Sequence, residues 1–402
     1  MSNQFISARN SKAPAPLAKT AVARALRLGF EKTRGNIERL ADEPKACAWA
    51  EDGHYFAHPG GFYEISNWTT SFFTGMALLG WRHTGDEFFL KQAQRLAPHY
   101  RLKVYEHDRD TMHDLGFLYS LYSVALYQLT GEPMHRETGL RAARVLADRF
   151  ERKGGYLRAW ARMEESDTAY AGMAIIDSMM NLPLLYWASA QTGEPEYRST
   201  AVSHANSTLR YFLRPDDSVC HAYRFDLQTG AGRGVDNYCG YAKDSHWARG
   251  TAWAIYGFAL SYSHTRKPEY LEVSLRLARQ FLEQTAADPI PPWDFGLPEG
   301  THPLRDSSAA AIAACGLQEI ALHCPGDASV ATEARRILAR LCEPAYLDTD
   351  TNCPGLLRNA QVGNGTVGQA LSVYASWGDY FFLEALNREL TGESVFWGNE
   401  AL

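Results

Sequence analysis

Asp114, in TMHDLGFLYS, and Asp177, in AIIDSMMNLP, each set a carboxylate among apolar and aromatic neighbours. Burying such a charge is costly unless the group is paired or put to use. Taken singly, either aspartate reads equally as a helix N-cap or a satisfied core group. Taken together and facing one cavity, two carboxylates are the usual equipment of glycoside cleavage, one raised in pKa to donate a proton and the other kept ionised. Trp68, Phe72, Trp160, Trp247 and Trp253 gather about the same helix starts, offering flat faces on which a sugar could stack or a core could pack. Arg249, in SHWARGTAW, sets a planar guanidinium fork beside two tryptophans, suited to a substrate carboxylate or to an ion pair with a neighbouring helix. His113 and His221 are candidates for binding sugar hydroxyls or tuning the carboxylates, and equally for satisfied core groups.

The elements that must position these residues are helical. Apolar residues recur at helical spacing in AVARALRLGFEKTRGNIERL, FLYSLYSVALYQLT, AIIDSMMNLPLLYWASAQT and TAWAIYGFALSYSHT, whereas strand-like alternation is scarce. A recurring punctuation ends the helices: HTGDEFF at 83, LTGEPMH at 129, QTGEPEY at 191, HTRKPEY at 264, HCPGDAS at 323 and LTGES at 390. The spacing of these stops suits one helical hairpin plus a loop per unit. An open solenoid would need polar caps at its ends, but the last unit, WGDYFFLEALNREL, is strongly aromatic, so closure of six hairpins into a toroid is expected. Counting back from the stops at Thr84, Thr130, Thr192 and Thr265 gives one register, with Trp68, Asp114, Asp177 and Arg249 each lying about four turns upstream. A closed ring would bring all four to one mouth of its central cavity. The glycine-rich stretches LQTGAGRGVDNYCGY and QVGNGTVGQ open no βαβ unit and read as loops over that mouth rather than phosphate loops.

Composition bounds the rest. The 402 residues, 46% hydrophobic and 21% charged, can bury a large core, and a formal charge of −6 speaks against a nucleic-acid surface. No apolar run reaches membrane-spanning length, and the polar, basic opening has no signal-peptide core. The seven cysteines, at 47, 220, 239, 315, 324, 342 and 353, show neither disulfide nor metal-ligand spacing and read as reduced core thiols. A cytoplasmic enzyme is expected, in which the sequons at Asn67, Asn206 and Asn364 carry no glycosylation meaning. Residues 1–18, with Pro14 and Pro16, read as a flexible arm, and residues 19–402 as one domain. Nothing calls for a metal, a cofactor or an assembly beyond a monomer or weak dimer.

NWTTSFFTGMALL, MHDLGF, LRAW, IIDSMMNLPLLYWA, DSHWARGTAWAIYG, RDSSAAAIAA and WGDYFFLEAL stand in the order and approximate spacing of the unsaturated glucuronyl hydrolases, family 88 of the glycoside hydrolases, which the chain resembles beyond its N-terminal arm. The resemblance implies an all-α (α/α)6 barrel and hydration of the 4,5-unsaturated uronic acid that a polysaccharide lyase leaves at a non-reducing end. It implies that Asp177 protonates C4 and assists water at C5, and that Asp114 is the second essential carboxylate. It further implies that Trp68, Phe72, Trp160 and Trp253 line the subsite for the unsaturated ring, while His113, His221 and Arg249 contact its polar groups and Trp247 stands beside them. The chain departs from the family at Cys239, where a glutamine often precedes Gly-Tyr, and it has no Ser/Lys motif for a sulfate before WGDY. Asn181 and HDLGF favour this group over the related unsaturated rhamnogalacturonyl hydrolases. A sugar epimerase on the same scaffold would rely on paired histidines rather than two matched aspartates.

Overall fold

The computed structural model describes residues 17–39, 49–50, 53–55, 60–301, 303–363 and 372–397. All but two residues of the expected arm, together with Cys47 and Asn364, lie outside that set.

The recurring Thr-Gly has a physical cause. At five of the six stops a threonine hydroxyl donates to the carbonyl four residues back: Thr84 to Gly80 (2.6 Å), Thr130 to Leu126 (2.7 Å), Thr192 to Ala188 (2.8 Å), Thr265 to Ser261 (2.6 Å) and Thr391 to Asn387 (3.0 Å). The same oxygen then accepts the N–H two residues on, at Asp86, Glu132, Glu194, Lys267 and Glu393. The residue between is left-handed, at Gly85, Gly131, Gly193, Arg266 and Gly392, which glycine adopts without strain. Pro133, Pro195 and Pro268 then open the next helices, where a missing N–H costs nothing. The fifth stop has no threonine and ends at Cys324 with φ −125°.

Helix α1 (Lys19–Arg39) is followed by α2 (Thr70–Thr84), α3 (Glu87–Arg95) and α4 (Ala97–Tyr105). Next come α5 (Leu115–Tyr119), a π-helical turn (Ser120–Val124), α6 (Ala125–Thr130) and α7 (Pro133–Ala147). A 3₁₀ turn (Ile176–Met180) leads into α8 (Leu182–Thr192), followed by α9 (Pro195–Tyr211), α10 (Ala248–Thr265) and α11 (Pro268–Gln284). The last are α12 (Ser307–His323), α13 (Ala328–Leu341) and α14 (Ser376–Thr391). The inner ring is α2, α5–α6, α8, α10, α12 and α14, each packed on the next, and α14 returns to α2. The toroid is therefore closed. Helices α3–α4, α7, α9, α11 and α13 pack outside, and α1 completes the outer layer against α14 and α2. The sixth hairpin thus joins the first and last helices of the described chain.

Small antiparallel sheets join the helices: β1 (Trp49–Ala50) pairs with β7 (Tyr374–Ala375), β2 (Phe150–Glu151) with β3 (Tyr156–Leu157), and β5 (Ala222–Phe225) lies between β4 (Met173–Ile175) and β6 (Gly232–Asp236). The stretch LQTGAGRGVDNYCGY is therefore not wholly a loop: its glycines serve the β5–β6 turn and strand β6. A Cβ on Gly232 would meet the Tyr223 hydroxyl at 2.9 Å, and Gly234 has φ 128°. Of QVGNGTVGQ, only residues 361–363 are described.

Aromatic rings fill the barrel axis. Trp68 packs on Phe117 (5.7 Å between centroids), Phe117 on Trp253 (5.3 Å), Trp253 on Phe381 (5.3 Å), and Phe381 stacks on Trp397 (6.0 Å). Trp397 is anchored at the far end by its indole N–H to Glu384 (2.9 Å), inside a buried network in which Arg388 pairs with Glu319 (2.9 Å) and Glu384 (3.2 Å). Cys220 and Cys315 are core thiols as expected, but Cys239, Cys324, Cys342 and Cys353 are only half-buried.

Candidate active site

At the end of the ring where the inner helices begin lies a cavity of about 270 Å³, at the lower edge of ligand-pocket volumes. Nine of the eleven residues singled out from the sequence line it: Trp68, His113, Asp114, Trp160, Asp177, His221, Cys239, Trp247 and Arg249. Phe72 and Trp253 do not. Both are fully buried below the cavity, Phe72 against Phe117 and Phe381 and Trp253 in the aromatic column. Trp160 lies between β3 and β4 rather than at a helix start, and His221 immediately precedes β5.

Asp114 stands at the N-cap position of α5 and Asp177 in the first turn of the 3₁₀ helix, yet neither cap is closed by a side chain. Asp86, Asp306 and Asp327 do accept N–H groups at their helix starts, so the plain capping role is filled elsewhere in this fold. Burial is the main force on both cavity carboxyls. It raises Asp114 to about 8, helped by the charge of Asp177, while Arg149 and Lys103 pull the other way. It raises Asp177 to about 6, against the pull of Arg249 and the Trp253 indole. Two such neighbours titrate as a pair, in steps that belong to both.

Each carboxylate faces an imidazole whose tautomer the surroundings fix. The Asn181 amide oxygen accepts the Phe117 N–H (2.7 Å), which turns its NH₂ toward the Asp177 carbonyl (3.2 Å). Nδ1 of His113 lies 3.5 Å from that NH₂, which can only donate, and 3.0 Å from the Ser178 hydroxyl, so Nδ1 accepts and Nε2 carries the proton, 3.3 Å from Oδ1 of Asp114. Nδ1 of His221 accepts the N–H groups of Tyr238 (3.0 Å) and Cys239 (3.3 Å), so its Nε2 carries the proton, 3.8 Å from Oδ2 of Asp177. Burial holds His113 well below its ordinary range and pushes His221 down to about 3, so both rings are neutral. Oδ2 of Asp177 is buried without a hydrogen-bond partner among the described residues.

Arg249 forms the structural ion pair that its position allowed. Nη1 donates to Asp306 (3.1 Å) and to the Gln361 carbonyl, and Nη2 to the Val362 carbonyl (2.6 Å). It also sits 4.5 Å over Trp247 and 5.2 Å over Trp377, and its edge still reaches the cavity. Burial pushes the Cys239 thiol up to about 12, so this wall is uncharged.

Ser66, Met112, Ile175, Val362 and Trp377 also line the cavity and were not singled out from the sequence. Trp377, stacked on Trp68 at 5.1 Å, was within reach, because counting back from Thr391 places it close to the register of the other hairpins. The fifth hairpin supplies Asp306 at the matching position before His323, and it pairs with Arg249. For Met112, Ile175 and Val362, apolar residues among many, the sequence carries no signal.

Known proteins resemble this chain in sequence and in fold. The model of Glycosyl Hydrolase Family 88 matches residues 49–376. An unsaturated glucuronyl hydrolase of Bacillus sp. (strain GL1) is 36% identical over 83% of this chain and 88% of its own. An unsaturated chondroitin disaccharide hydrolase of Streptococcus pyogenes serotype M1 is 31% identical over 95% of this chain and 94% of its own. A solved structure of an Asp→Asn variant, described as UGL with dGlcA-Glc-Rha-Glc, superimposes with a TM-score of 0.85 at 34% identity, covering 93% of this chain and 98% of that one.

Proposed function

The chain belongs to Glycosyl Hydrolase Family 88 and removes unsaturated glucuronyl residues from lyase-generated oligosaccharides, and from that premise we propose that Asp177 and Asp114 share the one proton the reaction needs. The observation that supports this most directly is Oδ2 of Asp177, buried and unpartnered among the described residues in a cavity that a second carboxylate enters. Burial holds the pair's proton more tightly on Asp114 than on Asp177, about 8 against about 6. The N–H that His113 offers Asp114 at 3.3 Å, closer than the 3.8 Å from His221 to Asp177, favours an ionised Asp114, and in this reading the proton passes to Asp177 once the ring is bound.

The unsaturated ring is a vinyl ether. Asp177 gives its proton to C4, the C4=C5 electron pair forming the new C–H bond and leaving an oxocarbenium shared by C5 and the ring oxygen. Asp114, ionised, faces the ring hydroxyls and the developing positive charge. Water then adds at C5 and its proton returns to Asp177, so the enzyme ends as it began. The hemiketal opens to a ketone at C5, and the hemiacetal left at C1 releases the rest of the oligosaccharide as an alcohol. Trp68 and Trp160 offer flat faces to the ring.

Residues 19–402 act as one catalytic domain in this reading, supported by a hydrophobic core that runs through all the inner helices. We place the enzyme in the cytoplasm, a reading supported by the free thiols of Cys220, Cys239, Cys315, Cys324 and Cys342; among the described residues no helix is long and apolar enough to cross a membrane. The test is the loss of ultraviolet absorbance from the conjugated double bond with unsaturated disaccharides made by lyases from chondroitin, hyaluronan, heparin, gellan and ulvan. Decay with at least one, abolished in Asp177→Asn without loss of the folded protein, is expected. Undiminished turnover in that variant removes the assignment of Asp177.

A further inference from the structure

Behind the cavity wall lies a cation that the scheme above leaves unused. Arg149, just beyond α7, is 3% exposed. Its guanidinium donates to five backbone carbonyls: Nε to Arg158 (2.9 Å), Nη1 to Thr111 (2.7 Å), and Nη2 to Ala159 (3.3 Å), Trp160 (3.3 Å) and Ala161 (2.8 Å). None of these acceptors is a carboxylate, so a buried positive charge is solvated by dipoles alone, an arrangement that is costly unless something else uses the charge. The carbonyls belong to two segments. Thr111 leads into Met112, His113 and Asp114 on one wall of the cavity, and residues 158–161 carry Trp160 on another. The His113 N–H, donating to the Ala159 carbonyl at 3.1 Å, also ties them together.

We infer that Arg149 is a positioning residue for the reaction: its five-armed fork sets the Met112–Asp114 wall against Trp160, and its charge, in contact with carbonyls rather than carboxylates, stands as a fixed counter-charge behind Asp114. The remaining groups around Asp114 are the neutral His113 at 3.3 Å, Asp177 across the cavity, and Lys103, whose ammonium is held by the Phe62 carbonyl at 2.9 Å. His204 and His221 lie beyond His113, both held down to about 3 by burial, hence uncharged. Around Arg149 itself, burial and the buried Arg158 lower it to about 9, while Asp114, Glu151 and Glu164 favour its charge, so it stays a cation across the window in which the pair holds one proton.

The inference rests on Asp114 being one of the two working carboxylates, so the experiment carries its own control. The pH dependence of kcat/KM and the KM for an unsaturated disaccharide are compared in the parent, Arg149→Met, Arg149→Lys and Asp114→Asn. Arg149→Met loses fork and charge: KM rises by roughly tenfold or more, and the alkaline limb moves to higher pH because Asp114 loses the cation that favours its ionised form. Arg149→Lys keeps the charge but cannot reach five carbonyls: KM rises while the limb stays at its parental pH. A purely structural arginine would lower the yield or Tm of both variants and move neither KM nor limb, which overturns the inference, as does an equal limb shift in both. If Arg149→Met does not fold, Arg149→Lys decides: a parental KM overturns the fork, and a raised KM with an unmoved limb supports it. Parental kinetics in Asp114→Asn would overturn the carboxylate pair itself, and the inference with it.

Discussion

Asp114 and Asp177 are held in this fold at a cost to stability. Both have folded-state pKa values above that of an exposed aspartate, so the stability tied to their protonation is complete below about pH 4 and is lost as pH rises through about 6 and about 8. Asp114→Asn, which is uncharged and nearly isosteric, is therefore expected to raise Tm at pH 8 and leave it almost unchanged at pH 4, as thermal melts would show. Activity should follow the same protons. The pair holds one proton between about 6 and about 8, so kcat/KM should be bell-shaped with its maximum in that window, and a profile level down to pH 4 would exclude the shared proton. The residue types were legible in the sequence because buried charge is expensive. Depth was not. Phe72 and Trp253 each lie four residues after a cavity residue, Trp68 and Arg249. Trp253 shares a helix face with Arg249 about one turn, 5.4 Å, further along α10, and Phe72 stands in the first turn of α2, whose start Trp68 precedes; both lie below the floor. Helical periodicity reports direction, and nothing in it reports how far down a barrel the cavity extends.

The hairpin stop is the element that repeats, and its threonine can be tested alone. Thr130→Val keeps the shape but removes both hydrogen bonds of the hydroxyl, at a cost of about 1 kcal/mol, read as a small drop in Tm with unchanged kinetics. The register followed from these stops, because the chain between cavity and stop has nearly the same length in each hairpin, although the helices themselves begin at different points, as Thr70–Thr84, Leu182–Thr192 and Ala248–Thr265 show. The two elements misread have their own reasons. The glycines of the β5–β6 hairpin imitate a loop, although they are there because Tyr223 and Tyr211 crowd the position of Gly232. Trp160 is carried by a segment between short strands, held by Arg149 and Arg158 rather than by a periodic pattern.

At the scale of the whole molecule, six stops implied six hairpins, but sequence order conceals how the ring closes. Among the described residues no helix follows the last stop; its outer partner is α1, from the other end of the chain. Closure is reinforced by the buried network at the far end. Burial alone would raise Glu319, but Arg388, His323 and Ser263 bring it down to about 2. Arg388→Met would leave Glu319 and Glu384 buried without their cation, costing about 3–5 kcal/mol, and should lower Tm far more than any change at the cavity mouth. The Trp397 end of the aromatic column has a kinetic meaning as well. A ring stoppered at one end is a cup, and a cup can accept a chain only by its tip. The enzyme therefore counts termini rather than mass: at equal weight of sugar, a sample cut into twice as many pieces offers twice as many places to begin, and an uncut polymer offers almost none.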